Sequence, residues 1–78
     1  KYSLYPNPAS NLLYLETDGN MVGSTLQLVD AKGAVVYKEI LTGNNTKINV
    51  SEMSSGLYHV MIISDNKTLT FKVIIDQK

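Results

Sequence analysis

The sequence predicts a small all-β domain in which six or seven short strands form an antiparallel sandwich. Hydrophobic residues recur with a period of two along most of the chain, and no stretch shows the 3.6-residue period of an amphipathic helix. The alternating segments are rich in Val, Ile, Leu, Thr and Tyr, and turn residues separate them at intervals of about 8–12 residues. Short strands at this spacing are typical of two packed antiparallel sheets.

Two prolines follow the first predicted strand, Tyr2–Tyr5. Pro6 and Pro8 lack a backbone N–H and have a fixed φ, so they cannot lie inside a regular sheet. We therefore expect this segment, with Asn7 between the prolines, to be a stiff entry into the folded domain. Alternation then predicts the next strand at Leu12–Glu16.

A tight hairpin is predicted in the middle of the chain. It joins strands at Thr25–Asp30 and Ala34–Leu41 through the turn Asp30–Gly33. The Asp30 side chain can accept hydrogen bonds within its own turn, and Gly33 can adopt the positive φ that such a turn requires. Longer polar connections are expected on either side of the hairpin, at 18–20 and 43–45.

A short strand and a capped turn precede the end of the chain. Ile48 and Val50 alternate with polar residues, which indicates a strand with one buried face. Ser51–Gly56 resembles a capped turn, about the size of one 3-10 turn, that ends at a glycine with positive φ.

The last predicted element is a long hairpin. Tyr58–Ser64 is apolar on both faces except at His59, which is typical of a strand near the centre of a sheet. Lys67–Ile75 alternates apolar and polar residues until Ile74, so we expect one buried face and one wet face. Asp65-Asn66 tolerates left-handed conformations and should join the two strands.

Composition limits the size of the protein and its partners. A chain of 78 residues forms one domain, and without cysteine neither disulfides nor thiolate metal sites can stabilise it. Seven Lys balance seven Asp and Glu, and there is no Arg, so the basic surface of a nucleic-acid-binding protein is missing. No apolar stretch is long enough for a transmembrane helix. Because the first residue is Lys1, we expect a piece of a longer polypeptide whose export signal lies upstream.

The residues predict neither a catalytic site, nor a cofactor, nor a metal. The single histidine, His59, lies within a strand, and no basic side chain is placed to activate the serines of the 51–55 segment. Oxygen donors in the turns do not repeat a calcium-binding loop. Carbohydrate binding is the main alternative, although there is no Trp and the five Tyr are spread over different segments.

Four sequence motifs follow one another in a set order. They are Tyr5–Asn11 followed by Leu13 and Leu15, Leu28–Val36 around an Asp-x-x-Gly turn, Ile48–Ser51 with Met53–Tyr58, and a Lys-containing last strand with Lys72–Ile75. In this order they resemble the type A C-terminal sorting domain of the type IX secretion system of Bacteroidetes. The residues that the motifs mark as candidates for recognition are Tyr5, Pro6, Asn7, Pro8, Asp30, Gly33, Gly56, Leu57, Tyr58, Lys72, Val73 and Ile74.

The resemblance implies an Ig-like β-sandwich of about seven strands, with residues 1–78 forming the C-terminal sorting domain of a larger exported protein. It implies that an upstream cargo crosses the inner membrane by an ordinary signal peptide, and that the outer-membrane translocon reads this domain in the periplasm. In the family a cell-surface sortase commonly removes the domain. The implied partners are therefore the translocon, the sortase and the cargo, and the cargo ends at the cell surface or is secreted.

We hypothesise that Lys67–Ile75 and Gly56–Tyr58 form the recognised surface, because an exposed edge strand can be read by strand addition. Tyr5–Pro8 would then mark the boundary between a cargo linker and the folded domain. The alternatives are a carbohydrate- or surface-binding sandwich and an Ig-like spacer with a structural role. Glycan binding would require exposed, coplanar tyrosines, whereas a spacer would have more protein after Lys78.

Overall fold

The computed structural model describes residues 2–77 as two antiparallel β-sheets that enclose one core. The strands are β1 (Ser3–Tyr5), β2 (Leu12–Glu16), β3 (Thr25–Val29), β4 (Val35–Ile40), β5 (Asn45–Asn49), β6 (Gly56–Ser64) and β7 (Lys67–Ile75). One sheet has the order β1-β2-β5, and the other has the order β4-β3-β6-β7. The predicted antiparallel sandwich of about seven strands is confirmed. Among these residues, none of the helical structure is long and apolar enough to cross a membrane.

Most strand limits agree with the limits that alternation predicts. β2 and β7 match them, β3 and β6 differ by one or two residues at one end, and β4 is one residue shorter at each end. β5 is longer than predicted, because Asn45 lies opposite Glu16 on β2 and therefore belongs to the ladder rather than to a loop. Pairing with a neighbouring strand here outweighs the low β-propensity of asparagine.

The 3-10 turn lies in a different connection from the predicted one. Gly19–Met21 forms it, and Met21 is buried with 3% of its surface exposed. At the start of the 51–56 segment the predicted capped turn is present: the N–H of Met53 donates to the carbonyl of Val50 at 3.0 Å, and Oδ1 of Asn49 accepts hydrogen bonds from the N–H and the Oγ of Ser51 at 2.9 and 2.7 Å. It is a single hydrogen-bonded turn and does not extend into a 3-10 helix.

The last hairpin joins β6 and β7 where it was predicted, with Ser64 opposite Lys67. The Oγ of Ser64 donates a hydrogen bond to the carbonyl of Lys67 at 3.1 Å. No non-glycine residue in the 2–77 range has a positive φ, so Asp65 and Asn66 close the turn without the left-handed conformation that they tolerate.

The hydrophobic core fills the space between the sheets. Val73 and Ile75 of β7 face it, as alternation predicts, while Leu69 and Phe71 pack at its margin. Each fully buried Leu, Ile or Val contributes about 1.5–3 kcal/mol by leaving water. The buried hydrophobic residues are Ala9, Leu13, Leu15, Met21, Leu26, Leu28, Leu41, Ile48, Val50, Tyr58, Val60, Ile62, Val73 and Ile75.

Candidate recognition site

The four sequence motifs meet at one end of the sandwich. Gly56 lies opposite Ile75, and Val29 lies opposite His59, so the start of β6, the end of β7 and the β3–β4 turn share this end. Ala9 forms a parallel bridge with Ile75 and brings the first motif to the same place. We call this region the motif end; it comprises Tyr5–Ala9, Asp30–Gly33, Gly56–Tyr58 and Lys72–Ile75.

The first motif covers the last part of the β7 edge. Oδ1 of Asn7 accepts a hydrogen bond from the N–H of Ile74 at 2.9 Å, and Nδ2 of Asn7 donates to the carbonyl of Lys72 at 3.5 Å. The N–H of Ala9 donates to the carbonyl of Ile74 at 2.9 Å, and the N–H of Asp76 donates to the carbonyl of Ala9 at 2.8 Å. Pro6–Ala9, which we call the entry segment, therefore acts as a short added strand along the end of β7.

The sequence predicts that the folded domain starts at the entry segment, and this prediction is wrong. β1 precedes it and pairs with β2, with Ser3 opposite Glu16 and Tyr5 opposite Tyr14. Both X-Pro bonds of the segment are cis. Prolines are compatible with this position because the segment crosses from the edge of one sheet to the edge of the other, where a regular ladder does not require their missing N–H groups.

The predicted central turn is confirmed. Oδ1 of Asp30 accepts hydrogen bonds from the N–H groups of Lys32 and Ala34, at 3.0 and 2.9 Å. The N–H of Gly33 donates to the carbonyl of Asp30 at 3.0 Å, and Gly33 has φ +92°. Asp30 and Gly33 thus determine the turn through their own backbone and side-chain chemistry.

The third motif anchors the connection between the sheets. Tyr58 is 6% exposed, and its hydroxyl donates a hydrogen bond to the carbonyl of Ser54 at 2.7 Å. A tyrosine near the start of a strand that bonds to the backbone a few residues upstream is the tyrosine corner of Ig-like sandwiches. Gln77 fixes the chain end to the same connection, since its N–H donates to Oγ of Ser55 and its Nε2 to the carbonyl of Val50, at 2.8 and 2.9 Å.

Replacing Gly56 with valine is expected to lower the free energy of unfolding by about 1–2 kcal/mol. Gly56 has φ +155°, which side chains rarely adopt, although a Cβ there would meet no atom within 4 Å. The cost is therefore conformational rather than steric. Circular dichroism melts measure this cost. The control is Gly43→Val, because Gly43 has equally open space but no positive φ. Equal melting temperatures of the two variants would contradict a conformational cost at Gly56.

Only some side chains of the hypothesised recognition surface are accessible to a partner protein. Tyr58 and Val73 lie opposite each other and face the core, so they support the fold and are inaccessible to a partner. Leu57 and Ile74 also lie opposite each other but face outward, with 37% and 43% of their surfaces exposed. Lys72 is exposed on the same outer face. The alternation of β7 in the sequence already predicts that Val73 faces the core while Lys72 faces outward.

Within residues 2–77, nothing pairs with the rest of the β7 edge, which we call the open edge. In an antiparallel ladder, successive residues direct their N–H and C=O groups alternately toward the paired strand and away from it. Ile74 points away from β6, because the entry segment binds its N–H and C=O groups. Thr68, Thr70 and Lys72 point the same way, and β7 is the last strand of its sheet. The sequence offers no signal for this division of β7 into a covered and an open part.

The tyrosines do not form the broad platform that the carbohydrate alternative requires. Tyr5 and Tyr14 stack across β1 and β2, with ring centroids 5.6 Å apart and ring planes at 25°. The others are separate: Tyr2 packs against Phe71, Tyr58 is buried, and the Tyr37 hydroxyl donates to the Glu39 carboxylate. That hydrogen bond, together with burial and the charge of Glu39, raises the pKa of Tyr37 to about 12.

Catalytic or metal-binding groups do not gather in the part of the chain that the structure describes. No set of three or more His, Cys, Asp or Glu side chains in residues 2–77 could hold a metal ion. His59 lies opposite Lys72 on the outer face of the four-stranded sheet, whereas the Oγ of Ser51 donates to Oδ1 of Asn49 beyond the end of β5. What the motifs build is one closed end of a small two-sheet β-sandwich, beside the edge strand β7.

The chain belongs to the family of secretion system C-terminal sorting domains, whose family model matches residues 3–76. The identification as a type IX secretion sorting domain is thereby confirmed. As a sorting signal of this kind, the domain marks a protein for secretion to the cell surface or beyond.

A solved structure has the same fold. It is PorZ, an essential bacterial surface component of the type-IX secretion system of Porphyromonas gingivalis, with a TM-score of 0.83 and 17% sequence identity. The match covers 97% of this chain and 11% of the PorZ chain. At this identity the likeness shows the fold alone. No curated protein matches the chain significantly.

Proposed function

We propose that residues 1–78 form a non-catalytic signal at the end of a larger exported protein, and that the outer-membrane translocon of the type IX system reads it in the periplasm. The upstream cargo then crosses the outer membrane, and a surface sortase removes the domain. The observation that carries the proposal is the open edge of β7 in a member of a sorting-domain family.

Strand addition is the mode of recognition that this edge supports best. The outward N–H and C=O groups of Thr68 and Thr70 can pair with an extended segment of the translocon, and main-chain hydrogen bonds supply affinity without requiring a particular side chain. The entry segment occupies the edge from Ile74 onward, so an added strand ends near Lys72. This stop would fix the register of the partner strand.

The experiment uses an unrelated reporter with an inner-membrane signal peptide, fused to residues 1–78 and expressed in a host with a type IX system. We expect the reporter at the cell surface or in the medium, and in the periplasm when residues 67–78 are deleted. Retention of the intact fusion in the periplasm, or equal export after the deletion, would contradict the proposal. Titration of the 78-residue chain with polysaccharide tests glycan binding at Tyr5 and Tyr14, and measurable affinity there would favour the carbohydrate alternative.

A further inference from the structure

Exposed apolar side chains gather on the outer face of the four-stranded sheet. Of the seven large hydrophobic residues that are exposed in the 2–77 range, four lie on this face by register: Val35, Ile40, Leu57 and Ile74. The register places half-buried Val29, Met61 and Ile63 between them. We call this surface the outer apolar face. A concentration of exposed apolar side chains marks an interaction site on a small domain.

The titratable groups of the outer apolar face are all basic. They are Lys38 on β4, His59 on β6 and Lys72 on β7, and the two lysines lie on the two edge strands with the apolar side chains between them. The outward positions of strands β3, β4, β6 and β7 carry no carboxylate. Glu39 points to the other side and accepts the hydrogen bond from Tyr37, and Asp30 is bound within its own turn.

The outer face of the three-stranded sheet has a different character. Glu16 and Lys47 provide both signs of charge there, and Asn45 and Asn49 provide amides. Its exposed large hydrophobic residue is Tyr5, which stacks on Tyr14. Exposed apolar side chains flanked by lysines therefore occur on the outer face of the four-stranded sheet and not on that of the three-stranded sheet. The net charge of the chain is zero, so composition alone does not predict this basic face.

We infer that the outer apolar face docks onto a protein surface of the sorting machinery in which carboxylates flank an apolar centre. This inference rests on the proposed function and names the chemistry of the partner that reads the domain. The face adjoins the open edge of β7, so one partner can add a strand at the edge and cover the face beside it. Complementary charge at the margin then selects the partner and orients it.

The charges of the face favour this occupant over two others. A second copy of the chain would set Lys38 and Lys72 against lysines of the same face, and like charges across an interface oppose association. An anionic bilayer would be attracted by only two lysines, whereas stable electrostatic attachment requires larger basic clusters. A protein surface with carboxylates satisfies both the apolar centre and the lysines.

The test measures the exported fraction of the reporter fusion for paired substitutions. Lys38→Glu with Lys72→Glu reverses the charge of the face, and Lys38→Arg with Lys72→Arg keeps it. Lys47→Glu reverses a lysine on the outer face of the other sheet, outside both the face and the motif end. We expect the Lys38→Glu, Lys72→Glu reversal to lower export about tenfold, because two attractions become repulsions, while the arginine pair and Lys47→Glu are exported like the wild type. Circular dichroism melts establish that each variant folds.

Each outcome separates the inference from the proposed function. If the wild-type fusion is not exported, both are wrong. If it is exported and the Lys38→Glu, Lys72→Glu pair is exported equally well, only the inference is wrong. Dimerisation of the 78-residue chain in light scattering that the reversal abolishes would assign the face to a second copy. If the 78-residue chain sediments with phosphatidylglycerol vesicles and the Lys38→Glu, Lys72→Glu variant does not, the face would be assigned to a membrane. Either result overturns the inference.

Discussion

Replacing Asn7 with leucine lowers the free energy of unfolding by about 2 kcal/mol, because the side-chain amide makes two hydrogen bonds to β7 and leucine makes neither. For a domain of this size, this is a considerable fraction of a total stability of roughly 4–12 kcal/mol. The loss reaches beyond the side chain, since Asn7 holds the entry segment against Ile74. Urea unfolding followed by circular dichroism measures the change.

Two variants establish the cause of the expected loss. Asn7→Asp keeps the acceptor for the N–H of Ile74 but cannot donate to Lys72 at neutral pH, so its stability should lie between the wild type and the leucine variant. Asn11→Leu is the matched control, because this exposed asparagine lies in the same connection and contributes its backbone carbonyl, bonded to Val50 at 2.8 Å, to the fold. Equal stabilities of the Asn7→Leu and Asn11→Leu variants would contradict the role of Asn7.

The fold was predictable because its signals are local. The alternation from Lys67 to Ile75 and the chemistry of the Asp30–Gly33 turn each lie within a few residues, and the structure contains both as predicted. The errors occur where the deciding partner is distant in the chain. Asn45 belongs to a strand because it pairs with Glu16 of β2. Met21 is buried in the core although it follows the 18–20 segment, which the sequence predicts to be a polar connection.

The candidate site was predictable as a set of motifs but not as an arrangement. The strand order brings the motifs to one end, and periodicity does not determine strand order. Asn7 finds its partners 65 and 67 residues away, and nothing adjacent to it indicates them. Its bonds decide which part of β7 stays open, so the part of the candidate site on which the proposal rests depends on long-range contacts.

Replacing Thr70 with proline is expected to stop export while the domain stays folded. The N–H of Thr70 points away from β6, so proline removes a donor from the open edge without breaking the β6–β7 ladder. A strand partner then loses one hydrogen bond and keeps an unpaired carbonyl, which corresponds to about a tenfold or larger loss of affinity. The measurement is the exported fraction of the reporter fusion.

Two controls separate the backbone of β7 from other causes. Thr70→Val keeps the N–H and the branched shape of the side chain and should be exported like the wild type. Lys47→Pro places proline at the corresponding position of β5, the edge strand of the other sheet. The backbone groups of Asn44 and Val50 form hydrogen bonds on the side of β2, so by alternation the N–H of Lys47 points away from β2. This variant should also be exported, because the proposal places the partner strand on β7 and not on β5.

The exported fraction of the Thr70→Pro fusion is therefore the most direct test of the claim that the sorting machinery reads the open edge of β7. We predict that the Thr70→Pro reporter stays in the periplasm with a melting temperature close to that of the wild type, while the Thr70→Val and Lys47→Pro reporters reach the cell surface. Export of folded Thr70→Pro at the wild-type level would contradict the claim.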